Sequence, residues 1–219
     1  MSSNSATDAR TGYHDLIRRD VVQGVPKKGG VLLDVGGGIG ATAAHLKQLG
    51  LADRAGVVDL VERPEGAPPL DFAYNGDLTD QALLDRIIAE QGPFTTILFL
   101  DILEHLVDPW ALVKKFTSAL TPDGVIVASI PNVRCLESLY PLVVKNDWTL
   151  RDEGILDRTH LRFFTRSSAI DLMTSSGLKL QKVIPLPHMG RKYRLFRKAT
   201  LGLAQSLTDR QYLVRVGAE

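Results

Sequence analysis

The chain of 219 residues has a single cysteine, Cys135. It therefore cannot close an intramolecular disulfide or build a cysteine-rich zinc site. No His or Asp lies within a few residues of Cys135, so its thiol reads as a small core side chain. Long apolar runs are missing too. The longest, Thr96–Leu100, is far short of a membrane span. There is almost no excess of one charge: Lys+Arg is 26 against Asp+Glu 25, a formal net charge of +1. That balance argues against a non-specific nucleic-acid binder, and no DNA partner is expected. Repeats are absent, and low complexity is confined to the first dozen residues. Those residues have no apolar segment of secretory type, and Arg18-Arg19 leads into Asp20 rather than an apolar stretch. The expected setting is cytoplasmic.

What remains is ordinary globular composition, 44% hydrophobic and 23% charged. Residues 1–12 read as a disordered tail and 13–219 as one domain. Helical patterns fall on 13–25, Ala41–Leu49, Thr79–Gln91, Pro109–Leu120 and Ser167–Ser176. Strand patterns fall on Val31–Val35, Ala55–Val61, Phe72–Tyr74, Thr95–Leu100, Val125–Ile130, Leu178–Ile184 and Gln211–Val216. This alternation predicts an α/β fold with a doubly wound, mainly parallel sheet. Ligands of such sheets sit beyond the carboxyl ends of the strands.

The first strand runs into Asp34-Val35-Gly36-Gly37-Gly38-Ile39-Gly40. Glycines let a ligand approach bare backbone, and the helix that follows turns free N–H groups into the loop. Gly36, Gly38 and Ala41 match a dinucleotide pattern. The spacing Asp34-x-Gly36-x-Gly38-x-Gly40 fits a different ligand. An acid before the first glycine opposes a pyrophosphate and attracts an ammonium group, which S-adenosylmethionine (SAM) carries. Asp59, 19 residues beyond Gly40, is placed to accept from ribose hydroxyls, with Glu62 as a fallback. After the third strand, Asp77 and Leu78 are candidates for the adenine edge; alternatively Asp77 caps the next helix.

Together with Leu100-Asp101-Ile102-Leu103-Glu104-His105-Leu106-Val107-Asp108-Pro109-Trp110, these residues resemble class I SAM-dependent methyltransferases. The resemblance covers about residues 13–185. It is closest to the bacterial group of ubiquinone-pathway O-methyltransferases and glycan or natural-product enzymes. Ser129–Val133 and Gly154–Thr165 resemble the same group. Gly37 stands where many of these relatives carry Cys, an exchange given little weight. The resemblance implies a seven-stranded sheet with an antiparallel last strand, here Gln211–Val216. It implies SAM as cofactor, S-adenosylhomocysteine as product, and a cofactor-side role for Asp101. It also implies an acceptor-side insertion over about 134–166, in which Tyr140, Trp148 and Arg162 are substrate candidates. Trp110 is assigned to the core, and Tyr13 with the first helix to a lid over SAM.

A hydroxyl acceptor benefits from a base. His160 and His105 are the candidates, His160 first, while His14, His45 and His188 receive no role. Asp101, Glu104, His105 and His160 also resemble the metal set of small-RNA 2′-O-methyltransferases, although no metal is expected. The reading reached is methyl transfer to a small molecule or glycan, at oxygen. Its alternatives are a metal-dependent RNA 2′-O-methyltransferase, an NAD-dependent oxidoreductase and a non-catalytic SAM-binding partner protein.

One segment stands outside this scheme. Residues 191–198 hold five cations in eight, and Tyr193, Phe196, Thr200, Leu203 and Leu207 follow helical spacing. A basic amphipathic segment over about 190–207 is expected, with a solvated face, an anionic acceptor or peripheral membrane contact as its possible uses.

Overall fold

The computed structural model of the protein describes residues 17–201 and 203–218. Seven strands form one sheet: β1 Val31–Val35, β2 Arg54–Asp59, β3 Phe72–Asn75, β4 Phe94–Leu100, β5 Leu120–Pro131, β6 Lys179–Pro187 and β7 Asp209–Gly217. Their order is β3-β2-β1-β4-β5-β7-β6. β7 runs antiparallel to both β5 and β6, and the other pairings are parallel. The fold is therefore the Rossmann-like α/β sheet that the sequence implied, with the last strand inserted next to the edge.

Among the described residues six α-helices accompany the sheet: α1 Ala41–Gln48, α2 Gln81–Gln91, α3 Pro109–Thr117, α4 Leu136–Lys145, α5 Arg166–Thr174 and α6 Arg191–Ala199. The strands are apolar on both faces and divide their residues by alternation. Leu33, Val35, Ile97 and Phe99 join one core with α2, α3 and α5. Leu32, Leu98, Val125 and Val127 join a second core with α1 and with a 3-10 turn over Arg19–Gln23. Asp34 shares the parity of Leu32, so it lies on the α1 side of the sheet.

Helix starts follow local chemistry. The Asp80 carboxylate accepts from the Ala82 and Leu83 N–H groups at 2.9 and 3.2 Å. Asp108 accepts from Ala111 at 3.0 Å with Pro109 in the first turn. Thr165 and Ser168 form a reciprocal capping box.

Three sequence-based expectations need correction. The described part of the 13–25 helix is only the 3-10 turn Arg19–Gln23; Tyr13 and the 1–12 tail lie outside the described residues. The basic helix does not continue to Leu207. It ends at Ala199, because Leu201 adopts a left-handed conformation (φ 50°) that breaks helical hydrogen bonding. Trp110 is not core: it is 43% exposed, with the Arg162 guanidinium 6.0 Å from its ring centre. α4 had no helical signal assigned to it, and Pro141 stands inside it.

Candidate active site at the carboxyl edge of the sheet

β1, β2 and β4 end side by side, and their following loops meet at this edge. Gly36, Gly38 and Gly40 have φ of 75°, 58° and 83°, a left-handed region that side chains with a Cβ disfavour. Gly37 matters as well. A Cβ there would stand 2.4 Å from Cγ of Asp34, so the loop lies directly against that carboxylate. The Asp59 carboxylate pins the loop from β2: Oδ2 accepts from the Gly38 N–H at 2.7 Å and Oδ1 from Val61 at 2.8 Å.

Asp34 is 1% exposed, and neither of its oxygens has a hydrogen-bond partner among the described residues. Its pKa is raised to about 7, first by burial and then by the Asp59 carboxylate, with Arg18 acting in the opposite direction. A buried carboxylate without partners is costly unless something pairs with it. A cationic group beside this loop would supply the missing partner, so the donor set fits an ammonium-bearing ligand. Asp77 is exposed and forms a local turn, accepting from the Thr79 N–H and hydroxyl, each at 2.8 Å. The helix cap is Asp80 instead. Leu78 is buried beside it.

Asp101 ends β4 in a left-handed conformation, φ 54°, unusual for a residue other than glycine. The strain is held by a polar cluster that sequence spacing did not reveal. Oδ1 accepts from Ser129 at 2.9 Å and Gln211 at 2.7 Å, and Oδ2 accepts from Arg18. Arg18 also pairs with Asp20 at 2.8 Å. Asp101 is thereby committed to Ser129, Gln211 and Arg18. Burial, the largest influence, raises its pKa, and Arg18 opposes that rise.

Glu104, His105 and His160 converge, each offering a ligand atom within 4.8 Å of the others. The rings of His105 and His160 meet edge to face at 4.7 Å. Two loops are stitched together to achieve this: the N–H groups of Leu161 and Arg162 donate to the Glu104 carbonyl at 2.8 and 3.0 Å. Each histidine is oriented through Nδ1. His160 Nδ1 donates to the Ile155 carbonyl at 3.0 Å. The Thr159 hydroxyl donates to Asp157 at 2.6 Å and so accepts from His105 Nδ1 at 3.0 Å. These tautomers are assigned from the network. They leave Nε2 as the lone-pair nitrogen of both rings. Burial, then the neighbouring His160, lowers the pKa of His105. Glu104 is buried, and neither of its oxygens has a hydrogen-bond partner among the described residues. Burial, then the Asp101 carboxylate, drives its pKa well above the usual range.

The acceptor-side candidates separate. Trp148 packs edge to face on Phe163 at 5.4 Å, and Phe163 stands 6.3 Å from His160. Trp148 thus joins an aromatic row leading to the histidines, and Phe163 is a member that the sequence reading missed. Arg162 braces the same loop by donating to the Val107 carbonyl. The Tyr140 ring is instead covered by Lys145, 5.6 Å away on α4. Cys135 is buried, and burial raises its pKa, as suits a packing thiol.

Comparison with known proteins agrees with this geometry. The family described as "Methyltransferase domain" matches residues 8–183. A ubiquinone biosynthesis O-methyltransferase of Xylella fastidiosa is 31% identical over 190 residues, 85% of this chain and 72% of that protein. One from Caulobacter vibrioides is 27% identical over 140 residues, 61% of this chain. The chain spans only 53% of the length of that relative. A SAM-dependent methyltransferase structure from Archaeoglobus fulgidus superposes with a TM-score of 0.63 at 16% identity, covering 98% of this chain and 94% of that one. The chain belongs to the methyltransferase-domain family, the class I enzymes that use SAM.

Proposed function

We propose that this chain transfers the methyl group of SAM to an oxygen of a small-molecule or glycan acceptor. The observation that carries the reading is the buried, unpaired Asp34 carboxylate under a left-handed glycine loop. A pyrophosphate would meet repulsion there, which disfavours NAD. Asp34, Gly36, Gly38 and Gly40 would hold the methionyl end of SAM, Asp59 the ribose, and Asp77 with Leu78 the adenine. Asp101 holds Arg18 and the β4 terminus in place at the cofactor side. Bound SAM supplies an electrophilic methyl group on a sulfonium leaving group.

The chain's own residues then have two tasks, positioning and proton removal. His105 is the better placed base. Its Nε2 carries the lone pair, its ring is half-buried, and Nδ1–H leads through Thr159 to the Asp157 carboxylate. A proton taken at Nε2 is therefore balanced by a nearby negative charge. The His160 side chain is only 7% exposed, and its Nε2 faces Glu104 at 3.9 Å. That arrangement suits orientation of His105 and of the acceptor more than proton exchange with it. Trp148 and Phe163 wall the acceptor, with Arg162 bracing the loop. The experiment is transfer of labelled methyl from SAM to phenols and sugars by the full chain. Product methylated at oxygen, with His105→Gln lowering kcat about 100-fold, supports the reading. SAM binding without turnover on any acceptor would leave a non-catalytic partner protein instead.

One observation favours a second reading. Glu104, His105 and His160 each bring a donor atom within 4.8 Å of the others, and both Nδ1 atoms are already engaged by the surrounding chain. This is the donor chemistry of a divalent-cation site, on which acceptor oxygens of RNA or of a small molecule would be oriented. Asp101, committed to Arg18, Ser129 and Gln211, is not part of it. Activity unchanged by chelation, with no metal retained on purification, would remove this reading; His105 cannot be both ligand and base through Nε2.

A further inference from the structure

From Leu172 to Thr208 the chain has seven Lys and Arg residues and no acid. In a protein with a net charge of only +1, that is a marked local excess. Five of the seven cations belong to α6. The helix rests on the carboxyl edge of the sheet, between the end of β6 and the start of β7. Its inner side is fixed. Arg197 donates to Thr208 and pairs with Asp209 at 2.6 Å, and the Tyr193 ring stacks on His188 at 3.9 Å. No residue of α6 is buried.

The outer side is what the fold leaves without a use. Arg191, Lys192, Arg194 and Lys198 are exposed around Leu195, itself 68% exposed. Before the helix Met189 is 77% exposed, and after it Leu201 and Leu203 are 90% and 93% exposed. Leu195 stands among the cations and Met189, Leu201 and Leu203 flank them, while a cavity of about 260 Å³ lined by Met189, Tyr193, Arg194, Arg197 and Lys198 lies along the helix. Large apolar groups set among long basic side chains are the pattern that lies in a headgroup layer. The apolar groups enter the acyl boundary and the cations meet lipid phosphates. Among the described residues, no helix is long and apolar enough to cross a membrane. The contact would therefore be one of surface only.

We infer that the outward face of α6, with Met189, Leu195, Leu201 and Leu203, docks the protein onto an anionic lipid bilayer. The inference is independent of the acceptor. It places the carboxyl edge of the sheet toward the membrane, because α6 rises from that edge.

The test is co-sedimentation of the full chain with vesicles of phosphatidylcholine alone or doped with phosphatidylglycerol. The protein should pellet with the doped vesicles and stay in solution with the neutral ones. The fourfold reversal R191E/K192E/R194E/K198E, which spares Arg197, should lower partitioning at least about tenfold. L195S/L203S should weaken it while all cations remain. Circular dichroism and SAM titration should be unchanged in both variants, since neither touches the candidate active site. Should the fourfold variant fail to fold, the parent's choice between the two vesicles and the L195S/L203S variant decide the matter. Equal pelleting with both lipids, pelleting with neither, or undiminished binding by the folded reversal variant overturns the inference. Inorganic phosphate is the remaining arm. Release from the doped vesicles beyond that given by sodium chloride of matched ionic strength would mark a site for a free anion, and would overturn it too.

Discussion

Asp34 is a residue whose cost to the fold is the counterpart of its use. Its pKa of about 7 in the folded protein lies above the ordinary carboxylate value of 3.8. The native state therefore holds this proton more tightly than the unfolded chain between those two values, and stability falls as pH rises through that window. Asp34→Asn should melt higher relative to the parent at about pH 8 than at about pH 5, where the difference narrows. Thermal melts of the two proteins across that range check this. His105 makes the second residue-scale case. Burial and His160 depress its pKa, so it is neutral at physiological pH and ready to accept a proton. A plot of kcat against pH should rise to a plateau with its inflection below the usual imidazole range. His105→Gln should flatten the profile as well as lower it. An unaltered inflection in that variant would move the base elsewhere.

The elements were legible where periodicity and punctuation agreed. β1 was read to the residue, because an apolar run ends at a glycine cluster. α3 was read from its start at Pro109, which fills a position where no N–H is needed. The helical pattern of α2 begins at Thr79, two residues before the helix itself. The Asx turn of Asp77 precedes the true cap, Asp80, and both are acids three residues apart ahead of the helix. Asp80→Ala should cost about 1 kcal/mol in chemical denaturation, whereas Asp77→Ala should cost less, since it leaves the helix cap intact. The internal Pro141 masks α4 in the sequence, and the left-handed Leu201 ends α6 before the helical spacing of apolar residues does.

At the scale of the whole molecule, the sequence carries contacts made within one loop and hides those made across the sheet. Asp34 and the glycines are seven residues of continuous chain, so their joint role could be read directly. The Asp101 cluster gathers Arg18, Ser129 and Gln211 from three distant segments. Only the insertion of β7 beside β5 brings Gln211 to the end of β4. Likewise the distance between residues 105 and 160 gives no hint that their rings touch. The same topology sets the glycine loop, the two histidines and the basic helix along one edge.

The most direct measurement is a calorimetric titration of SAM into the full chain and into Asp34→Asn, at about pH 6 and about pH 8. The parent should bind, and more tightly at the higher pH as the carboxylate ionises. The variant should bind at least about tenfold more weakly at the higher pH, with little change between the two. Absence of binding by the parent, or equal affinities for parent and variant at both pH values, would contradict the claim that a buried carboxylate beneath bare backbone selects a cationic methyl donor.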